Sequence, residues 1–143
     1  MTSFIDALVA ANKKNPKMKI LAPISLGELY DKISILEIKS EVMFNDRSKA
    51  NNVDNELTEL KEIAKRYPIG KDLYEQLKSI NKRIWDIEDG IRGEERNKDY
   101  GEEFIAFARA VYFTNDERSE IKKKINLEFG SEIVEEKSYK KYQ

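Results

Sequence analysis

The chain has 143 residues, a length that suits one domain with one modest hydrophobic core. Hydrophobic residues make up 40% of it and charged residues 37%, which favours long solvated helices over a sheet protein. Lysine and arginine number 26, and aspartate and glutamate 27. The resulting net charge of −1 predicts no affinity for nucleic acid or for anionic membranes.

Cysteine and histidine are both absent from the sequence. Their absence excludes disulfides, thiolate metal sites, cysteine nucleophiles, Ser-His-Asp triads and zinc–histidine sites. Catalysis, if there is any, must use Asp, Glu, Lys, Tyr or Arg, or Mg²⁺ held by carboxylates, so whether the protein is an enzyme stays open. No metal site or cofactor is predicted. Without a signal-peptide pattern or an apolar run of about 18 residues, the expected location is the cytoplasm.

The N-terminal residues 1–17 are predicted to be an extension, followed by a single helical domain over residues 18–143. Within the extension, a short helix is expected over about residues 2–12, capped by Thr2 or Ser3. No functional residue is predicted in the extension.

The first strong helix is predicted over residues 25–44. Ser25 and Glu28 have the spacing of a capping box, and Ile24 and Leu29 have the spacing of a hydrophobic staple. These signals together fix where the helix starts.

Two further helices are predicted at about residues 50–66 and from residue 71 onward. The later helix carries an apolar seam at a/d spacing, formed by Leu73, Leu77, Ile80, Ile84, Ile87 and Ile91. We therefore expect the two helices to pack as a long antiparallel coiled-coil-like hairpin over residues 50–98. Gly90 and Gly93 are expected to bend or end the later helix.

The fourth main helix is predicted over about residues 102–129. Its first half, FIAFARAVYF, is apolar almost all round and is expected to lie deep in the core. A capping-box pattern from Thr114 to Glu117 would allow the helix to restart there. The remainder, from Gly130, is a charged tail. The predicted fold is an all-α bundle of about four main helices.

Charged side chains fall beside apolar faces on three of these helices, if each residue turns the helix by about 100°. On the first, Glu28, Lys32 and Lys39 lie between two apolar faces, whereas Ser34 is on the side expected to be wet. The third and fourth helices each carry a stripe of polar side chains, at helical spacing, along the edge of an apolar face. The three helices together give the candidate ligand-binding residues Glu28, Lys32, Lys39, Asn81, Trp85, Glu88, Arg92, Asn115, Arg118 and Lys122. An isolated buried charge is too costly to keep, so we infer that the three stripes converge.

Two interpretations of these charges are open. In the leading one, the cations outnumber the carboxylates and hold a small anionic ligand, such as a sugar nucleotide or another phosphate. In the alternative, the charges are a structural salt-bridge network in a non-enzymatic, homo-oligomeric interaction module, with a homodimer as the expected form. A weaker third interpretation is an enzyme that binds Mg²⁺ through Glu28, Asp31, Asp86 and Asp89. Their separation is longer than in helical nucleotide pyrophosphatases, and Asp86 faces outward.

Four sequence blocks resemble one uncharacterised family of small helical proteins or domains. The blocks are PISLGELYDKISILEIKSE, INKRIWDIEDGIRGEE, FIAFARAVYFTNDER and IKKKINLEFGSEIVEEKSY, and they lie in this order within about residues 20–139. The family occurs in bacteria and in phages, including marine phages, and some bacterial members are associated with glycosyltransferase or surface-polysaccharide genes. The resemblance implies family membership, and it includes most of the candidate residues, but it implies no activity.

Overall fold

The computed structural model describes residues 3–13 and 18–142, which form five α-helices and no strand. The helices are α1 (Phe4–Lys13), α2 (Leu26–Val42), α3 (Arg47–Ala64), α4 (Lys71–Arg96) and α5 (Glu102–Glu128). The all-α prediction is therefore confirmed. Ser3 caps α1, because its Oγ accepts a hydrogen bond from the Asp6 N–H at 3.0 Å. The alternative cap, Thr2, lies outside the described residues.

Capping residues set the start of the next two helices. Ser25 Oγ accepts a hydrogen bond from the Glu28 N–H at 3.0 Å, which confirms the predicted start of α2. Asp46 accepts one from the Lys49 N–H at 3.1 Å, so α3 begins three residues earlier than the apolar spacing indicated. Residues 47–49, which the sequence placed before this helix, therefore belong to it.

The long antiparallel helix pair of the fold is α4 with α5. Arg83 of α4 binds Glu117 of α5 at 3.0 Å, and Gly90 lies against the ring of Phe107, so the two helices run in opposite directions. The sequence placed the hairpin at residues 50–98 instead, and this placement is wrong. In the described part of the chain, α3 packs on α2 and not along α4.

Helix α2 is the element that joins the bundle, since it packs on α3, α4 and α5. Toward α3 it buries Leu29 and Ile33, which form one core cluster with Ala64. A second cluster lies between α4 and α5 and consists of Leu73, Leu77 and Ile125. Burying such side chains stabilises the fold by about 1.5–3 kcal/mol each.

The outer halves of α4 and α5 project beyond this core as a two-helix arm, residues 85–113. The buried residues of α4 end at Ile84, and those of α5 begin at Thr114. The first half of α5 was expected deep in the core, and this expectation is wrong: Ile105 is 54% exposed and Tyr112 43%. The reason is length, because α2 has 17 residues and its partners 26 and 27.

Both arm helices are continuous. Helix α4 does not end at Gly90 or Gly93, and α5 does not restart at Thr114. The contact between Gly90 and the Phe107 ring indicates why glycine is tolerated there: a Cβ at Gly90 would come within 2.5 Å of that ring. Among the described residues, no helix is long and apolar enough to cross a membrane.

Candidate functional site

The polar cluster at the centre of the bundle is built around Asp31 of α2, which is only 1% exposed. Arg118 of α5 binds both of its carboxylate oxygens, with Nε donating to Oδ1 at 2.9 Å and Nη2 donating to Oδ2. Asn81 of α4 donates to Asp31 Oδ1 at 2.8 Å and to Ser34 Oγ at 2.7 Å. One buried carboxylate therefore connects three helices through charge-assisted hydrogen bonds.

Lys122, one turn further along α5, extends this cluster to the start of α2. Its Nζ lies 2.7 Å from Glu28 Oε2, 3.5 Å from Glu135 Oε2 and 3.7 Å from Asp31 Oδ2. The other oxygen of Glu135 accepts a hydrogen bond from Ser25 Oγ at 2.7 Å. Ser25 thus caps α2 and also binds the C-terminal part of the chain.

The charge balance of this cluster differs from the predicted excess of cations. Two cations, Arg118 and Lys122, face three carboxylates, Asp31, Glu28 and Glu135, so the formal charge is 2 − 3 = −1. The charges of this cluster, buried at Asp31 and open to solvent at Glu135, are paired with one another, which supports the structural-network interpretation for these five side chains.

The ionisation of Asp31 is set by two opposing effects. Burial alone would raise the pKa of its carboxyl, but hydrogen bonds from Arg118 and Asn81 and the positive charges of Arg118 and Lys122 outweigh burial and lower the pKa below its usual value. For Lys122, burial favours the neutral amine, yet the hydrogen bond to Glu28 and the charge of Asp31 raise its pKa. Both groups are therefore charged at neutral pH.

This lowered pKa predicts an acid-dependent loss of stability. The unfolded chain binds a proton at Asp31 near pH 4 (about 3.9), and the folded protein does so only at lower pH. The contribution of Asp31 is therefore complete above about pH 4 and is lost as the pH falls through the folded pKa. Urea unfolding of wild type and Asp31→Asn should show the largest difference in unfolding free energy at neutral pH. A difference that does not shrink on acidification would contradict this.

The C-terminal segment, residues 130–142, folds back along α5 instead of forming a free tail. Gly130 has a φ of 71° at the reversal. Ser131 Oγ then accepts a hydrogen bond from the first N–H of α2 at 3.1 Å. Further along, Tyr139 donates to Asp116 at 2.8 Å, and Tyr142 donates to the other oxygen of that carboxylate. The hydrogen bond to Asp116 raises the pKa of Tyr142 to about 12.

A solvent-open groove of about 750 Å³ lies between this segment and α5, beside the Asp31 cluster. Its cations are Arg118 and Lys122 from α5 and Lys137 and Lys140 from the segment, against one carboxylate, Asp116. The rest of its lining consists of Val111, the polar residues Asn115 and Ser119, and the aromatic residues Tyr112, Tyr139 and Tyr142. Arg118 and Lys122 already balance carboxylates of the Asp31 cluster, so the groove's own formal charge is 2 − 1 = +1, from Lys137 and Lys140 against Asp116.

The predicted convergence of the stripes is correct for five of the ten candidates. Asn81, Arg118, Lys122 and Glu28 meet at Asp31 or at its partners, and Asn115 Oδ1 lies 3.5 Å from Arg118 Nη1. Whether any of them binds a ligand stays a prediction.

The other five candidates lie elsewhere, so their predicted convergence with the cluster is wrong. Lys32 is exposed, and Lys39 and Trp85 are half-buried, with no polar contact to the cluster among the described residues. Glu88 and Arg92 form an exposed i, i+4 pair at 3.6 Å. For Lys32 and Lys39 the reason is geometric. One buried face of α2 contains Leu29 and Ile33 and the other contains Asp31, and the two lysines lie on the strip of helix surface between these faces.

Sequence reasoning missed the two most buried polar residues of α2. Asp31 was considered only as part of a metal-binding pair, and Ser34 was expected to be wet, although it is 0% exposed. Gly27, Asp31, Ser34 and Ile38 share a face at spacings of four, three and four, and all are buried. That periodicity, with glycine as its first residue, was the sequence signal that could have predicted a buried face at Asp31 and Ser34.

The Mg²⁺ interpretation receives no support from these positions. Glu28 binds Lys122, and Asp31 binds Arg118, while Asp86 pairs with Lys82 at 3.0 Å. Within the described ranges, no group of three or more carboxylates is arranged to hold a metal ion.

These features define a class of all-α protein. A buried, salt-bridged aspartate joins three helices, and the C-terminal segment binds to α2 and α5 where these two helices meet. Residues 18–142 match a family of unknown function (DUF6165), and the chain belongs to that family. The match begins after α1 and includes the four blocks on which the resemblance was based. No curated protein and no solved structure matches the chain.

Proposed function

We propose that the protein binds a small phosphate-bearing ligand in the groove between α5 and the C-terminal segment. The observation that carries this proposal is the position of Lys137 and Lys140. They line the groove together with Arg118 and Lys122, and within the described residues neither forms a salt bridge. The charge of Lys137 acts on Asp116, and Lys140 adds a second ammonium group, so the pair leaves a net positive charge that favours an anion.

Arg118 and Lys122 contribute in a different way from the two segment lysines. Their charges are largely balanced by Asp31, Glu28 and Glu135, but their side chains remain 27% and 13% exposed. They therefore offer donors that are already fixed in place, which lowers the ordering cost of binding. Most of the net attraction for an anion comes from Lys137 and Lys140.

The remaining lining narrows the class of ligand. Tyr112 and Tyr139 provide aromatic surfaces beside the cations, and such surfaces suit a sugar or a nucleobase. The volume of about 750 Å³ lies within the usual range for small-molecule sites, roughly 300–1,000 Å³. These properties favour a nucleoside diphosphate or a sugar nucleotide over a lone phosphate.

Thermal unfolding with inorganic phosphate, a nucleoside diphosphate and a sugar nucleotide tests this proposal. Ligand at 100 times its Kd should stabilise the wild-type fold by about 2.7 kcal/mol. The double variant Lys137→Gln/Lys140→Gln should lose that stabilisation, because it removes both ammonium groups of the C-terminal segment while leaving the Asp31 cluster intact. The matched control is Lys49→Gln, an exposed lysine on α3, which does not pack on α5. No stabilisation of wild type, or an equal effect in the double variant, would refute the proposal.

A second candidate function, a homo-oligomeric interaction module, is favoured by the arm. Its apolar residues are only partly covered in one chain, and Ile105 is 54% exposed. Ligand binding in the groove and association through the arm use different surfaces, so one protein can do both.

A further inference from the structure

The outward face of α5 in the arm is defined by Glu102, Ile105, Ala106 and Arg109. These four residues are all exposed and lie within about 100° of one another around the helix. The face points away from Phe107, the residue that packs on Gly90 of α4. It is therefore the side of the arm that no other described helix covers.

This face has the composition of a contact surface. A helix that is apolar almost all round is normally buried on every side. Here α4 covers one side of the segment, and Ile105 is left 54% exposed with Ala106 also open to solvent. Covering it would remove apolar area from water, which favours association.

The order of residues along the face indicates which partner would cover it. An acid, Glu102, stands at one end and a base, Arg109, at the other, seven residues or about 10.5 Å away. Ile105 and Ala106 lie midway between them. Such a pattern is complementary to itself when reversed, because an antiparallel copy places acid against base at both ends and apolar against apolar in the centre.

We propose that this face is a homodimer interface in which two α5 helices pack antiparallel. The twofold axis passes between Ile105 and Ala106, so that Glu102 binds Arg109 of the partner subunit and Arg109 binds Glu102 of the partner subunit. Ala106 permits a close approach of the two helices, since interaxial distance depends on the side chains at the contact. The interface is isologous, as closed dimers require.

Charge reversal provides the test, read by sedimentation equilibrium over a range of protein concentrations. Wild type should dimerise, and Glu102→Arg and Arg109→Glu should each be monomeric, because each places like charges opposite one another. An equimolar mixture of the two variants should dimerise again, as should the double variant in one chain. Ala106→Glu, at the centre, should be monomeric. Arg92→Glu, an exposed arginine on α4, is the matched control and should dimerise like wild type.

Circular dichroism establishes that each variant is folded, which the exposure of all four positions favours. A wild type that stays monomeric throughout would overturn the proposal. So would a dimer that persists in both single variants, or a mixture of the two that remains monomeric.

Discussion

Replacing Arg118 by methionine is expected to lower the free energy of unfolding by about 3–5 kcal/mol. The substitution keeps much of the apolar stem but removes the guanidinium that binds both oxygens of Asp31. Asp31 is 1% exposed, so its charge would be left in the core with Asn81 and the more distant Lys122 as partners. Urea unfolding followed by circular dichroism measures the loss as a lower midpoint at unchanged slope.

The matched control for this prediction is Arg92→Met on α4. Arg92 is 65% exposed and pairs with Glu88 at 3.6 Å, a surface pair worth about 0.3–0.5 kcal/mol. The same chemical change should therefore cost little there. If Arg118→Met also cost less than about 1 kcal/mol, the bidentate pair would not be a principal support of the fold.

The contrast between Arg118 and Arg92 shows how much of the site could be predicted from the sequence. Helical periodicity correctly predicted a polar stripe on each of three helices, and it identified Arg118, Lys122 and Asn81, which do meet. It also made Arg92 a candidate ligand-binding residue, because periodicity predicts which side of a helix a residue is on but not whether a partner helix reaches that position. Position depends on where α2 ends relative to α4, which is a tertiary property.

Periodicity also does not identify the partner of an apolar face, which explains the wrong placement of the hairpin and of the first half of α5. The a/d seam of α4 was assigned to its neighbour in sequence, α3, although its partner is α5. The apolar first half of α5 was assigned to the core, although only one helix covers it. Apolar periodicity predicts that a face needs a partner, but it does not say which element, or which molecule, supplies that partner.

The C-terminal segment was least accessible from the sequence, since it has neither helical nor strand periodicity. Polar contacts hold its start: Ser131 accepts a hydrogen bond from the first N–H of α2, and Glu135 binds Ser25 and Lys122. These contacts connect the groove to the N-terminus of α2. A ligand that orders Lys137 and Lys140 would therefore also stabilise the joint between α2 and α5.

Substituting alanine for Gly27 tests that joint and is expected to cost about 1–3 kcal/mol. Glycine in a helix is normally unfavourable by about 1 kcal/mol relative to alanine, so propensity alone predicts stabilisation. Here the Gly27 N–H donates to Asn126 Oδ1 at 2.6 Å, and a Cβ would come within 2.6 Å of the Lys122 carbonyl oxygen. That oxygen belongs to the backbone of α5, so relief requires the two helices to separate.

Gly93→Ala is the control that isolates this effect, because the substitution is the same and α4 is also helical there. A Cβ at Gly93 would lie 3.6 Å from its nearest neighbour, the flexible end of Arg96, and would make ordinary van der Waals contact. Gly93→Ala should therefore raise the free energy of unfolding by about 0.5–1 kcal/mol. Opposite signs for the two variants in urea unfolding would identify close approach of α2 and α5 as the reason for Gly27. Equal stabilisation by both would show that α5 can move aside, and that the Asp31 cluster does not depend on this contact.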